Sequence, residues 1–134
     1  MNVLVDTSVW SLALRRAAAN TSAETAELVA LIREGRVAMI GAIRQEVLSG
    51  VRAPEQYRRL RDRLRAFSDV SLDATDYEEA ASCFNRCRAR GLQGSNTDFL
   101  ICAVSLRRRL SILTTDQDFR GFAPVLGFEL HEPR

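Results

Sequence analysis

Three short apolar runs, each handed straight to a segment of helical periodicity, set the strongest limit on how this chain can fold. Residues 2–6 (NVLVD), 36–40 (RVAMI) and 111–115 (SILTT) are bounded by polar residues, as buried strands are. Thr7 or Ser8 can cap a helix through about Arg16. Residues 17–22 are small and polar and predict a loop. Ser22 starts a second helix to about Glu34, with Leu28, Leu31 and Ile32 on one face and Gly35 as its stop. Gly41 turns the chain into a helix carrying Glu46, which Gly50 closes. Pro54 suits the first turn of the next helix, where Tyr57, Leu60, Leu64 and Phe67 recur. A third strand is expected at 69–72 (DVSL), then a helix from Asp73 or Thr75 to about Arg90. The main loop, 91–95, precedes a helix capped by Ser95 or Asn96. A last strand is expected at 125–130, where Leu126, Phe128 and Leu130 alternate, after one short helical turn at 117–120. Strands alternating with helices imply a three-layer α/β/α sandwich around a central, mainly parallel sheet.

The length of 134 residues predicts one domain. No apolar run approaches the ~20 residues of a membrane span. The strand pattern begins within the first residues, so no leader is expected and the protein is placed in the cytoplasm. Cys83, Cys87 and Cys102 lack the spacing of a disulfide framework and read as small buried hydrophobes. Net charge is only +2, but all 19 cations are arginine. Mutational bias accounts for that composition, although guanidinium forks also suit phosphate oxygens.

The residues that carry chemistry are Asp6, Glu46, Asp98 and Asp116. Asp6 ends the first strand and Asp116 follows the SILTT strand. Asp98 lies in the first turn of a helix, where the macrodipole favours an anion. Glu46 sits one to two turns into its helix, with a longer reach. In an open parallel sheet, sites form beyond the carboxyl ends of the strands, and all four positions lead to that edge. Singly, each has a structural explanation as a cap or dipole partner. Jointly they describe a carboxylate cluster, which is costly without a cation because like charges resist ionising together. Hard oxygen donors suit Mg²⁺ or Mn²⁺, so the pattern points to metal-dependent phosphate chemistry.

The segments around these acids resemble the PIN-domain family. Val3-Leu4-Val5-Asp6-Thr7-Ser8-Val9-Trp10 is similar to its opening motif and Glu46-Val47-Leu48-Ser49-Gly50 to its second. Asp98-Phe99-Leu100-Ile101-Cys102-Ala103 resembles the third. Leu113-Thr114-Thr115-Asp116-Gln117-Asp118-Phe119 resembles the fourth, a T-x-D-x-D-F signature. The resemblance runs over nearly the whole chain and is strongest to the VapC toxins of toxin–antitoxin pairs. Two departures stand out. Ile43 occupies a place where many relatives carry Thr or Ser, and Ser95-Asn96-Thr97 replaces a common proline. Neither removes a carboxylate.

The resemblance implies a PIN-like fold and a Mg²⁺- or Mn²⁺-dependent endoribonuclease, the toxin of a VapBC-type pair, that hydrolyses RNA through an activated water. Asp6, Asp98 and Asp116 would be the metal ligands. Glu46 would orient water or complete a second site. Asp118 would approach the metal or cap the turn before Phe119. Thr7, Ser8, Asn96 and Thr114 are candidates to bond carboxylates or substrate, with helix capping as the competing role for Ser8 and Asn96. Arg107, Arg108 and Arg109, like the arginines of 58–65, are candidates for RNA phosphates, against the ordinary reading as a solvated face. Trp10 is assigned to the core in preference to base stacking. The single His131 excludes a two-histidine ribonuclease mechanism within one chain. The implied partners are RNA, transfer RNA among the candidates, a VapB-like antitoxin and a second copy of the chain, with no membrane. A receiver domain would want a lysine, and a haloacid-type phosphatase a second Asp where Ser8 stands. The remaining rival is a catalytically inactive PIN-like scaffold that binds RNA or protein.

Overall fold

The computed structural model describes residues 2–15 and 22–134, the Arg15 side chain excepted. In chain order the elements are β1 (Val3–Val5), α1 (Thr7–Arg15), α2 (Ala23–Arg33), β2 (Val37–Ala38) and α3 (Gly41–Leu48). They continue as α4 (Pro54–Leu64), α5 (Ala74–Arg88), α6 (Asn96–Arg108), β3 (Ser111–Leu113) and α7 (Asp118–Leu126). The loop expected at 17–22 lies, Ser22 apart, outside the described residues.

The three-stranded sheet has the order β2-β1-β3 and is parallel throughout. In register, Leu4 faces Ala38 on one side and Ile112 on the other. Val3, Leu4 and Val5 are wholly buried, as a central strand covered on both faces requires. The sheet is extended at each edge by a single bridge, Met39 with Asp69 and Ile112 with Leu130. Among the described residues no helix is long and apolar enough to cross a membrane.

Two expected strands are not formed as such. At 69–72 only Asp69 bridges, and the Val70 N–H reaches the Met39 carbonyl. The Ser71 carbonyl is instead taken by the Arg108 guanidinium at 2.8 Å, so the backbone is satisfied by a side chain and the ladder stops. At 125–130 the short turn expected at 117–120 is a nine-residue helix, α7, that runs to Leu126. Phe119, Phe122 and Leu126 are all buried along it, a helical spacing that outcompetes the shorter alternation beyond it. Gly127, at φ 88°, ends α7 in the left-handed conformation that glycine tolerates. The chain then leaves extended and touches β3 only at Leu130.

Arginines hold the layers together. Arg107 and Arg108 both reach Asp76 at 2.6 Å, fastening the last turn of α6 to the first turn of α5. Arg44 on α3 binds Asp69 at 2.8 Å and the carbonyls of Leu64 and Phe67. Trp10 is 2% exposed and packs edge-on against Phe67, the core role expected of it. The three cysteines are buried and free.

Candidate functional site

The parallel sheet sends β1 and β3 toward the same edge, so their following residues meet there. Asp6 leaves β1 and remains 5% exposed. Its backbone N–H is held by the Leu113 carbonyl at 2.9 Å, the end of the β1–β3 ladder. Its Oδ2 accepts hydrogen bonds from Ser8 Oγ at 2.9 Å and Thr114 Oγ1 at 2.8 Å. Each hydroxyl in turn accepts a backbone N–H from the loop after β3: Thr115 N–H to Ser8 Oγ at 3.1 Å, Asp116 N–H to Thr114 Oγ1 at 2.9 Å. Two hydroxyl relays therefore tie the Asp6 carboxylate to the loop that carries Asp116. Asp116 Oδ1 accepts the Asp118 N–H at 2.9 Å, which turns the chain into α7.

Glu46, exposed on α3, is joined to this edge by Thr7, whose Oγ1 donates to Oε1 at 2.6 Å. Asp98 opens α6 in a capping box. Its Oδ2 accepts the Ser95 N–H at 3.0 Å, and Ser95 Oγ accepts the Asp98 N–H at 3.1 Å. Asp98 is thus a helix cap and a member of the acidic edge at once. In all four acids one oxygen is engaged by a neighbour, which restricts the rotamer. A carboxylate offers about four lone-pair sites, so capacity remains for a ligand.

Electrostatics separates this edge from the rest of the molecule. Burial pushes the Asp6 carboxyl above its ordinary pKa; the Thr114 and Ser8 hydroxyls and the Thr7 N–H oppose that, and the Asp116 charge adds to it. Asp98 is raised as well, by burial first, with the charges of Asp6 and Asp116 contributing against its bonds to Ser95. The other buried acids behave in the opposite way. Glu27 and Asp76 are each penalised by burial, yet their pKa values are lowered. His131 and Arg134 hold Glu27; the Asp73 N–H, Arg107 and Arg108 hold Asp76. Among the described side chains no arginine pairs with Asp6, Glu46, Asp98 or Asp116. Although the chain has 19 arginines, none of the described ones gives these four acids a counter-charge.

The donors are all carboxylate and hydroxyl oxygens, the set that suits Mg²⁺ or Mn²⁺. Among the described residues no three acidic, thiol or imidazole groups converge into a ready-made cage. Mg²⁺ is commonly held by one or two carboxylates with water completing its shell, and Asp6, Asp98 and Asp116 are the residues that would supply them.

The remaining sequence candidates divide. Thr7, Ser8 and Thr114 bond the carboxylates. Asn96 does not: it borders a groove of about 410 Å³ between α5 and α6, with Tyr77, Phe84 and Leu100. Asp118 serves Asp116 through its backbone, and its side chain is exposed. Arg107 and Arg108 are committed to Asp76 and, with Arg109, sit at the opposite end of α6 from Asp98, roughly 14 Å away at 1.5 Å per residue. Sequence reasoning gave Ser95 only a capping role and passed over Gly94. A side chain at position 94 would meet Asp98, a close approach that no spacing rule exposes.

Comparison with known proteins agrees with this architecture. No curated protein matches the sequence. The structure is similar to that of FitAcB from Neisseria gonorrhoeae, with a TM-score of 0.75 and 18% identity, over 98% of this chain and 97% of that one. It is also similar to VapBC2 from Rickettsia felis bound to a DNA fragment from their promoter, with a TM-score of 0.78 and 16% identity, over 98% of both chains. The PIN domain family profile matches residues 3–123. Apolar runs, four acids at one sheet edge and this profile converge on one assignment: the chain belongs to the PIN-domain family.

Proposed function

We propose that this chain is a Mg²⁺- or Mn²⁺-dependent endoribonuclease, the toxin of a VapBC-type toxin–antitoxin pair. The observation that carries the reading is the contrast among buried acids. Glu27 and Asp76 have cationic partners, whereas Asp6 is buried beside other acids with none among the described residues. Asp6, Asp98 and Asp116 would hold the ion. The cation would supply counter-charge to a scissile phosphate and make water a better nucleophile. Glu46, fixed through Oε1 by Thr7, would orient the attacking water. Ser8 and Thr114 keep Asp6 aimed and couple it to the Asp116 loop.

The similarity to FitAcB and VapBC2 supports an antitoxin partner. A VapB-like antitoxin and a second copy of this chain are proposed as partners, RNA as the substrate, transfer RNA among the candidates, and the cytoplasm as the location. A second reading, a catalytically inactive scaffold, draws support from the absence of a ready-made metal cage among the described residues.

One assay separates the two. Purified protein free of antitoxin is incubated with transfer RNA and with mixed RNA, plus Mg²⁺ or Mn²⁺. Cleavage that stops with chelator and in Asp6→Asn supports the nuclease. Cleavage that persists in either condition removes the metal mechanism, and no cleavage at any divalent concentration favours the scaffold.

A further inference from the structure

Gly94 is unlike the other glycines of the chain. Gly35, Gly50, Gly91 and Gly127 have positive φ and open space around them, and Gly41 and Gly121 would place a Cβ at ordinary contact distances. At Gly94 a Cβ would lie 2.8 Å from Phe122 Cζ, 3.0 Å from Phe99 Cε2 and 3.2 Å from Asp98 Oδ2. Two of these contacts are with buried rings, of which Phe99 also lines a groove of about 280 Å³ with Phe84, Leu92 and Gly94, whereas Phe122 does not border it. Phe99 and Phe122 are each 1% exposed and stack at a centroid distance of 4.9 Å. Phe122 is backed by Phe119 at 5.6 Å and Phe99 by Phe84 at 5.4 Å. Phe122, the nearest neighbour, is packed between Phe119 and Phe99 and yields little, so the 94–95 loop and the carboxylate beside it would take up the displacement.

We propose that Gly94 is a positioning residue for Asp98: the missing side chain is the space in which Phe122, Phe99 and the Asp98 carboxylate meet, and filling it moves the carboxylate. The loop is held to Asp98 by the two capping-box bonds, Ser95 N–H to Oδ2 and Asp98 N–H to Ser95 Oγ, beside the Phe99 N–H bond to the Ser95 carbonyl. A backbone shift of a few tenths of an ångström lengthens both. The aromatic ladder gives the same device a second consequence. Phe119 follows Asp116 by one turn of chain, and ring contacts link it through Phe122 to Phe99, the residue after Asp98. The segments that carry the two acids are therefore joined by packed rings as well as by the sheet. The effect on catalysis rests on the nuclease reading above; the effect on Asp98 does not.

The test compares wild type, Gly94→Ala, Phe122→Leu and the double variant Gly94→Ala/Phe122→Leu. The leucine removes the ring atom nearest the new methyl and lets Phe99 tilt. The first readout is the amide resonance and hydrogen exchange of Ser95 in metal-free protein; the second is RNA cleavage. Gly94→Ala is expected to speed Ser95 exchange about ten-fold through loss of the capping bond, and to slow cleavage about a hundred-fold through misplacement of Asp98. The double variant should regain most of both, whereas Phe122→Leu alone should leave Ser95 protected. A wild-type Ser95 amide in Gly94→Ala would overturn the proposal. If Gly94→Ala fails to fold, the double variant decides: a folded double variant with a protected Ser95 supports the proposal, and one with an unprotected Ser95 overturns it. If wild type cleaves nothing while Ser95 behaves as stated, the nuclease reading fails and the positioning role stands.

Discussion

Asp6 shows why residue identity matters more than residue class at this edge. Glu27 and Asp76 are as deeply buried, but cationic partners hold their pKa values down. Asp6 has hydroxyls instead, which orient a carboxylate without neutralising it. Such a site carries a charge penalised by burial first, with repulsion from Asp116 added; a bound cation relieves both, and stability is traded for function. Asp6→Asn keeps the shape and one acceptor oxygen while removing the charge. Without divalent cations at neutral pH it should melt higher than wild type, by roughly 2–6 °C if the relief is about 1 kcal/mol. Scanning calorimetry in chelator measures this, and a lower melting temperature would contradict the charge argument. At this scale the sequence was informative about which acids matter. It also offered Thr7, Ser8 and Thr114 as groups that bond carboxylates, but not which acid each serves, because a hydrogen bond such as Thr114 to Asp6 spans more than a hundred positions.

Among the elements, α5 and α6 are locked by a clamp that the sequence disguised as a basic run. Arg107 and Arg108 converge on Asp76, which is 0% exposed and also closes a capping box with Asp73. Burial alone would raise the Asp76 pKa; the Asp73 N–H and the two guanidinium groups reverse that and lower it. A carboxyl with a folded pKa below its unfolded one adds stability above the unfolded value, and that stability is lost as pH falls through the folded one. Asp76→Asn should therefore lower stability at neutral pH and flatten the loss below about pH 4, the ordinary carboxylate range. Urea unfolding between pH 2 and 7 tests this, and a parallel offset at every pH would contradict it. Strands β1, β2 and β3 were legible because apolar runs between polar residues are local signals. The 69–72 and 125–130 segments were not. In one, an arginine from α6 takes the carbonyl that a ladder would need. In the other, burial of Phe119, Phe122 and Leu126 extends a helix through Pro124. Both outcomes depend on partners distant in sequence.

At the scale of the whole molecule, a parallel sheet of very short strands is enough to bring four separate segments to one edge. That edge is braced by the β1–β3 ladder ending at Asp6, the Thr7 bond to Glu46 and the capping box at Asp98, with the ring of Phe99, the next residue, packed on Phe122. A ligand that binds only the folded form stabilises it in proportion to RT ln(1 + [L]/Kd), so divalent cation and fold should be thermodynamically linked here. The central claim is that these acids, left without arginine partners, form one cation site. Calorimetric titration of Mn²⁺ into wild type, Asp6→Asn, Asp98→Asn and Asp76→Asn tests it most directly. Binding in wild type and Asp76→Asn, with about ten-fold or greater weakening in Asp6→Asn and Asp98→Asn (at least about 1.4 kcal/mol), is the predicted result. Equal binding by all four proteins, or none by wild type at millimolar Mn²⁺, would contradict it.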